Sequence, residues 1–92
     1  MLKKINPGSV KAPTYTFQLD RDKLKYFDTK LNRSINVALE HDVKPFVLVI
    51  YSNSIKFWLQ PDEVTVTNDE KNQILQNIDE GLTFLNVMHK FV

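Results

Sequence analysis

The chain has 92 residues, 42% of them hydrophobic, with one Trp, three Tyr and six Phe. That is enough apolar material for one core and too much for a wholly disordered chain. Twelve Lys and Arg against eleven Asp and Glu leave a net charge of +1, and there is no cysteine. A strongly basic nucleic-acid binder, an acidic tail protein, a disulfide framework, a thiolate zinc site and a thiol nucleophile are all excluded.

Met1-Leu2-Lys3-Lys4 could open a signal peptide, but Asn6-Pro7-Gly8-Ser9 interrupts before any apolar run develops. The longest apolar run, residues 46–51, is far short of the about 20 residues a membrane-spanning helix needs. The chain therefore reads as cytoplasmic, with no membrane partner. Residues 1–13 carry three lysines, two prolines and a glycine without periodicity, and are expected to form a flexible N-terminal arm. Residues 14–92 are expected to form a single α+β domain.

From Tyr15 the pattern alternates. Tyr15, Phe17 and Leu19 share one face, and Thr16 and Gln18 the other. Asp20-Arg21-Asp22 supplies turn chemistry before Lys23-Leu24-Lys25-Tyr26-Phe27 alternates again. Leu24, Phe27 and Leu31 also fit helical spacing, with Asp20 as N-cap; the clean alternation on either side favours a strand. Ile35, Val37 and Leu39 then mark the clearest strand. After the loop at residues 41–45, the apolar run 46–51 predicts a central strand covered on both faces and lying beneath a helix. Ser52-Asn53-Ser54 reads as a turn. Ile55, Phe57 and Leu59 predict a strand face opposite Lys56 and Trp58, ended by Pro61.

A short segment at 64–66 precedes the best helix signal. Thr67-Asn68-Asp69-Glu70 has capping-box spacing, and Ile74, Leu75, Ile78, Leu82 and Leu85 form one apolar stripe. Gly81 costs about 1 kcal/mol mid-helix relative to alanine, which leaves a bend or stop there as the alternative to a helix that continues. The helix is expected to end near Leu85 with Asn86 in the role glycine usually takes. Residues 87–92 read as a last strand. The expected architecture is α+β: an antiparallel β-meander of about five strands, one C-terminal amphipathic helix packed on one face, and a short final strand.

Catalytic chemistry is hard to place. His41 and His89 have no partner at metal-ligand spacing, and Asp20 and Asp22 are explained by their turn. Two glycines cannot build a phosphate loop, and no G-x-S-x-G elbow occurs. The chain reads as a non-enzyme without cofactor or metal. Charge is uneven along it. Residues 1–45 hold nine Lys and Arg against five Asp and Glu, +4, and residues 46–92 hold three against six, −3. The acidic excess collects at Asp62, Glu63, Asp69, Glu70, Asp79 and Glu80, as a solvated helix face or as a docking surface for a basic partner. Trp58 either packs beneath the arm or the 60–66 loop, or stands partly exposed as an interface anchor.

Tyr51-Ser52-Asn53-Ser54-Ile55-Lys56-Phe57-Trp58, Pro61, Thr67-x-x-Glu70-Lys71 and Ile74-Leu75-x-Asn77-Ile78 with Leu82 and Leu85 together resemble a small immunity-protein family. It is the one numbered seventy-four in bacterial polymorphic-toxin systems. The resemblance spans roughly residues 15–92 and departs from the pattern at Leu59, where an acidic residue is common, and at Asn86, where glycine is. It implies stoichiometric neutralisation of a cognate toxin by direct binding, and supplies no catalytic residue. The expected contact patch is Trp58, Asp62, Glu63, Asp69 and Glu70. Two rivals stand beside this reading. One is a structural or regulatory homo-oligomer of phage or mobile-element origin, pairing through a sheet edge. The other, less supported, is a nucleic-acid adaptor using Lys23, Lys25 and Tyr26.

Overall fold

A computed structural model describes residues 2–6, 8–43, 46–59 and 64–92. The strands are β1 (Lys3–Asn6), β2 (Ser9–Lys11), β3 (Tyr15–Leu19), β4 (Lys23–Asp28), β5 (Arg33–Val43) and β6 (Phe46–Ile50). After these come β7 (Phe57–Trp58), β8 (Val64–Thr65), helix α1 (Asn68–Phe84) and β9 (His89–Phe91). Seven strands form one sheet in the order β1-β2-β3-β4-β5-β6-β9, antiparallel except for the β6–β9 pair. A parallel pair needs a long crossover, and the chain from β6 to β9 supplies it with α1 inside. β7 and β8 pair separately. The expected α+β meander with one helix and a final strand is the architecture observed.

Alternation sorts the sheet into an inner and an outer face. Tyr15 and Phe17 of β3, Leu24 and Tyr26 of β4, Ile35, Val37 and Leu39 of β5, and Leu48 and Ile50 of β6 share one core with Ile74, Ile78 and Leu82 of α1. Register keeps these rows aligned: Phe17 faces Tyr26, Tyr26 faces Ile35, and Leu39 faces Ile50. The β4 segment is a strand, as alternation favoured.

The helix is closed at both ends by local chemistry. The Thr67 hydroxyl accepts the Glu70 amide at 3.1 Å and the Glu70 carboxylate accepts the Thr67 amide at 2.9 Å, the expected capping box. At the other end Asn86 takes φ 61°, its amide bonds the Thr83 carbonyl and the Val87 amide bonds the Leu82 carbonyl. That is a Schellman cap with asparagine in the left-handed position.

Three expectations need correcting. The stretch expected as an arm holds β1 and β2. Val10 is 0% exposed opposite Phe17, and segments of three and four residues are too short to show a period. The strand expected through residues 55–59 is reduced to Phe57–Trp58. Ser52–Ser54 forms a 3₁₀ turn, and the Ser54 hydroxyl takes the Ala38 amide at the β5 edge, which breaks the alternation. Ile55 and Trp58 therefore go inside, while Phe57 and Leu59 are 46% and 48% exposed. The apolar run forms β6 between β5 and β9, with Leu48, Val49 and Ile50 buried so that both faces are covered as expected, but it ends at Ile50 and its first residue, Phe46, is exposed. The side-chain hydrogen bonds of α1 run to β3, β4, β7 and β9. The helix continues through Gly81 to Phe84 with Leu85 as its C-cap, as expected. Phe17 explains the glycine, because a methyl there would overlap the Phe17 ring.

Candidate functional site

One face of α1 meets a row of aromatic rings from the sheet. Phe17, Tyr15, Tyr26 and Trp58 follow one another with centroids 6.2, 5.8 and 6.5 Å apart. Three of the four have a polar tip, and each tip finds a helix side chain. The Tyr15 hydroxyl donates to Glu80 Oε1 at 3.0 Å and the Trp58 indole N–H donates to Glu70 Oε1 at 3.2 Å. Asn77 Nδ2 donates to the Tyr26 hydroxyl at 2.7 Å, and Gln73 Nε2 donates to Asn77 Oδ1 at 2.8 Å. Helical positions 70, 73, 77 and 80 share a side, so the row and the helix dock as one zipper.

Electrostatics follow from this packing. Burial pushes the Tyr26 hydroxyl up to about 12, and Asp28 adds to the rise against the Asn77 bond, which lowers it. Burial, then the Glu80 bond, raises the Tyr15 hydroxyl above its ordinary value. Glu70 moves the other way. The Thr67 amide bond holds its carboxyl below the ordinary value, helped by the Trp58 bond and Arg33, whose Nη1 lies 4.0 Å from Oε2.

Beside the zipper lies a concavity of about 420 Å³ lined by Thr14, Asp28, Lys30, Leu31, Trp58, Asp69, Glu70, Gln73 and Asn77. A second, of about 550 Å³, shares Thr14 and Asn77 with it and reaches Glu80 and Leu2. Three of the five residues expected at the contact patch thus come together. Trp58 is fully buried and forms the floor, so it shapes the groove rather than projecting from it. Glu70 is committed to the capping box and Trp58, and Asp69 is exposed at the rim. Asp62 and Glu63 lie outside the described residues. Asp28, Leu31 and Asn77 were not anticipated. They reach the groove from a strand end, a loop and the helix interior, and no local pattern in the sequence links them.

The histidines have structural partners. His41 Nε2 lies 3.0 Å from the Arg21 carbonyl, and His89 sits between the Val87 carbonyl at 2.8 Å and Asp79 Oδ1 at 2.6 Å. Asp20 accepts the Arg21 amide within its turn, which lowers its carboxyl. Among the described residues no three His, Cys, Asp or Glu converge as metal ligands, and no helix is long and apolar enough to cross a membrane.

The family described as Immunity protein 74 matches residues 29–92, from the β4–β5 loop to the last residue. The chain belongs to that family. The matched stretch holds β5, β6, the Ser52–Trp58 segment, α1 and β9, and so the helix half of the zipper with Trp58. No curated protein and no solved structure matches the chain.

Proposed function

We propose that this Immunity protein 74 family member neutralises a cognate toxin by binding it directly, without catalysing a reaction. Family membership over residues 29–92 carries the reading. The structure is compatible with it in a specific way. Glu70, Asn77, Glu80, His41 and His89 are all held in internal contacts, which suits a rigid scaffold that presents a surface. On this reading the groove floored by Trp58 is part of the contact. Asp69 supplies charge at its rim, Asp62 and Glu63 supply it from the segment before α1, and Glu70 acts by holding the indole in place. Such a rim favours a basic segment on the toxin.

Co-expression is the test. Cells making the toxin domain encoded by the neighbouring open reading frame should survive when this protein is co-expressed, and the two should co-purify at one to one. Asp69→Lys should weaken binding by roughly tenfold, as expected for a charge reversed at an interface rim. Neither protection nor co-purification would remove the reading. A dimer of this chain alone, seen by light scattering at micromolar concentration, would favour the oligomer instead.

A further inference from the structure

The sheet face turned away from α1 has a charge pattern of its own. Outward positions in register run Lys3, Lys11, Thr16, Phe27 and Ser34 in one row, and Ser9, Gln18, Lys25 and Asn36 in the next. Lys23 faces Ala38 beyond them. Across β1 to β4 and the half of β5 paired with β4, no outward position among the described residues is a carboxylate. The nearest carboxylate in ion-pair reach is Asp20 of the β3–β4 turn, 3.8 Å from Lys25. The two rows from Ser9 to Asn36 enclose a shallow concavity of about 310 Å³.

Ordinary solvent exposure explains a polar outer face but not this distribution. Lysines on an edge strand discourage edge pairing, which accounts for Lys3 and Lys4 of β1. Lys11 lies on β2, inside the sheet, and stands directly opposite Lys3. Like charges directly opposite are destabilising in an antiparallel pair. Folding alone does not select that placement, whereas an anionic partner would offset it.

We infer that this lysine face is a docking surface for an acidic surface of the toxin, next to the groove. The inference rests on the direct-binding reading above and extends it. The nine residues lining the groove are few beside the roughly 20–30 per partner that a stable complex uses. Lys11 and Phe27 lie three residues and one residue along the chain from Thr14 and Asp28, which line the groove on the helix side, so a partner that wraps this end of the sheet covers both surfaces. A protein partner is favoured over nucleic acid. The face has no arginine and one half-buried aromatic, Phe27, whereas single-strand binding relies on several stacking rings.

The experiment uses the full chain and an inactivated form of the toxin domain from the neighbouring open reading frame. Lys11→Glu combined with Lys25→Glu should slow association and weaken binding by roughly tenfold or more, with a reduced salt dependence. Circular dichroism and Tm should show the variant folded; if it is not, Lys25→Gln alone should still weaken binding measurably. Wild-type affinity in a folded double variant would overturn the surface while leaving the function intact, whereas a wild-type chain that never binds the toxin would overturn the function itself. Retardation of a twenty-nucleotide oligo-dT by the wild type but not the variant would assign the face to nucleic acid and overturn the inference. A wild-type dimer that becomes monomeric in the variant would assign it to a second copy, with the same consequence.

Discussion

The Glu70 carboxylate accepts the Thr67 amide and the Trp58 indole and lies 4.0 Å from Arg33, so one side chain caps the helix and fixes the largest buried ring. Its folded pKa lies below the ordinary value of 4.5. The unfolded chain therefore binds a proton there before the folded one does. The stability contributed is complete above pH 4.5 and is lost as pH falls through the depressed value. Glu70→Gln should lower stability at pH 7 by about 1 kcal/mol, the scale of a cap contribution. The difference from wild type should shrink as pH falls below 4.5, as urea unfolding at a series of pH values would show. A difference unchanged down to pH 2 would mean that the charge does not matter and only the shape of the side chain does.

At the scale of elements, the best-read features are those whose signal lies within a few residues. Thr67 and Glu70 are three apart and specify the cap by themselves. Tyr15 to Leu19 and Arg33 to Leu39 alternate because one face is packed and the other is not. Residues 55–59 misled because a serine hydroxyl from the preceding turn bonds β5, an interaction with no trace in the local period. Gly81 also has a cause outside the local sequence: it resembles a helix breaker but serves close approach to Phe17. Gly81→Ala should gain about 1 kcal/mol of helix propensity and lose more to overpacking, typically about 1–3 kcal/mol. Net destabilisation is expected by thermal unfolding. In a Phe17→Leu background the same substitution should become neutral or stabilising, since the ring that blocks the methyl is gone.

At the scale of the molecule, the family match begins at residue 29 but the core does not. Val10, Tyr15, Phe17, Leu24 and Tyr26 precede it and pack against Ile74, Ile78 and Leu82 or the rows beside them. The zipper loses Tyr15 and Tyr26 without β3 and β4, leaving Asn77 and Glu80 without those partners. A fragment of residues 29–92 should therefore be unfolded, with disordered amide dispersion by NMR, while the full chain unfolds in one cooperative transition. A folded fragment would show that the sheet beyond β5 is an accessory layer.

Within the sequence, hydrophobic period and capping spacing determined which segments are strand and helix, because those choices depend on neighbours two to four residues away. The same information located Asp69, Glu70 and Trp58 near one another along the chain. Only the tertiary structure decided that Trp58 points inward, that Lys3 and Lys11 stand side by side, and that Lys11 and Lys25 share one sheet face. Those outcomes depend on strand register and on which face the helix covers, and both are set by packing between residues up to 65 positions apart.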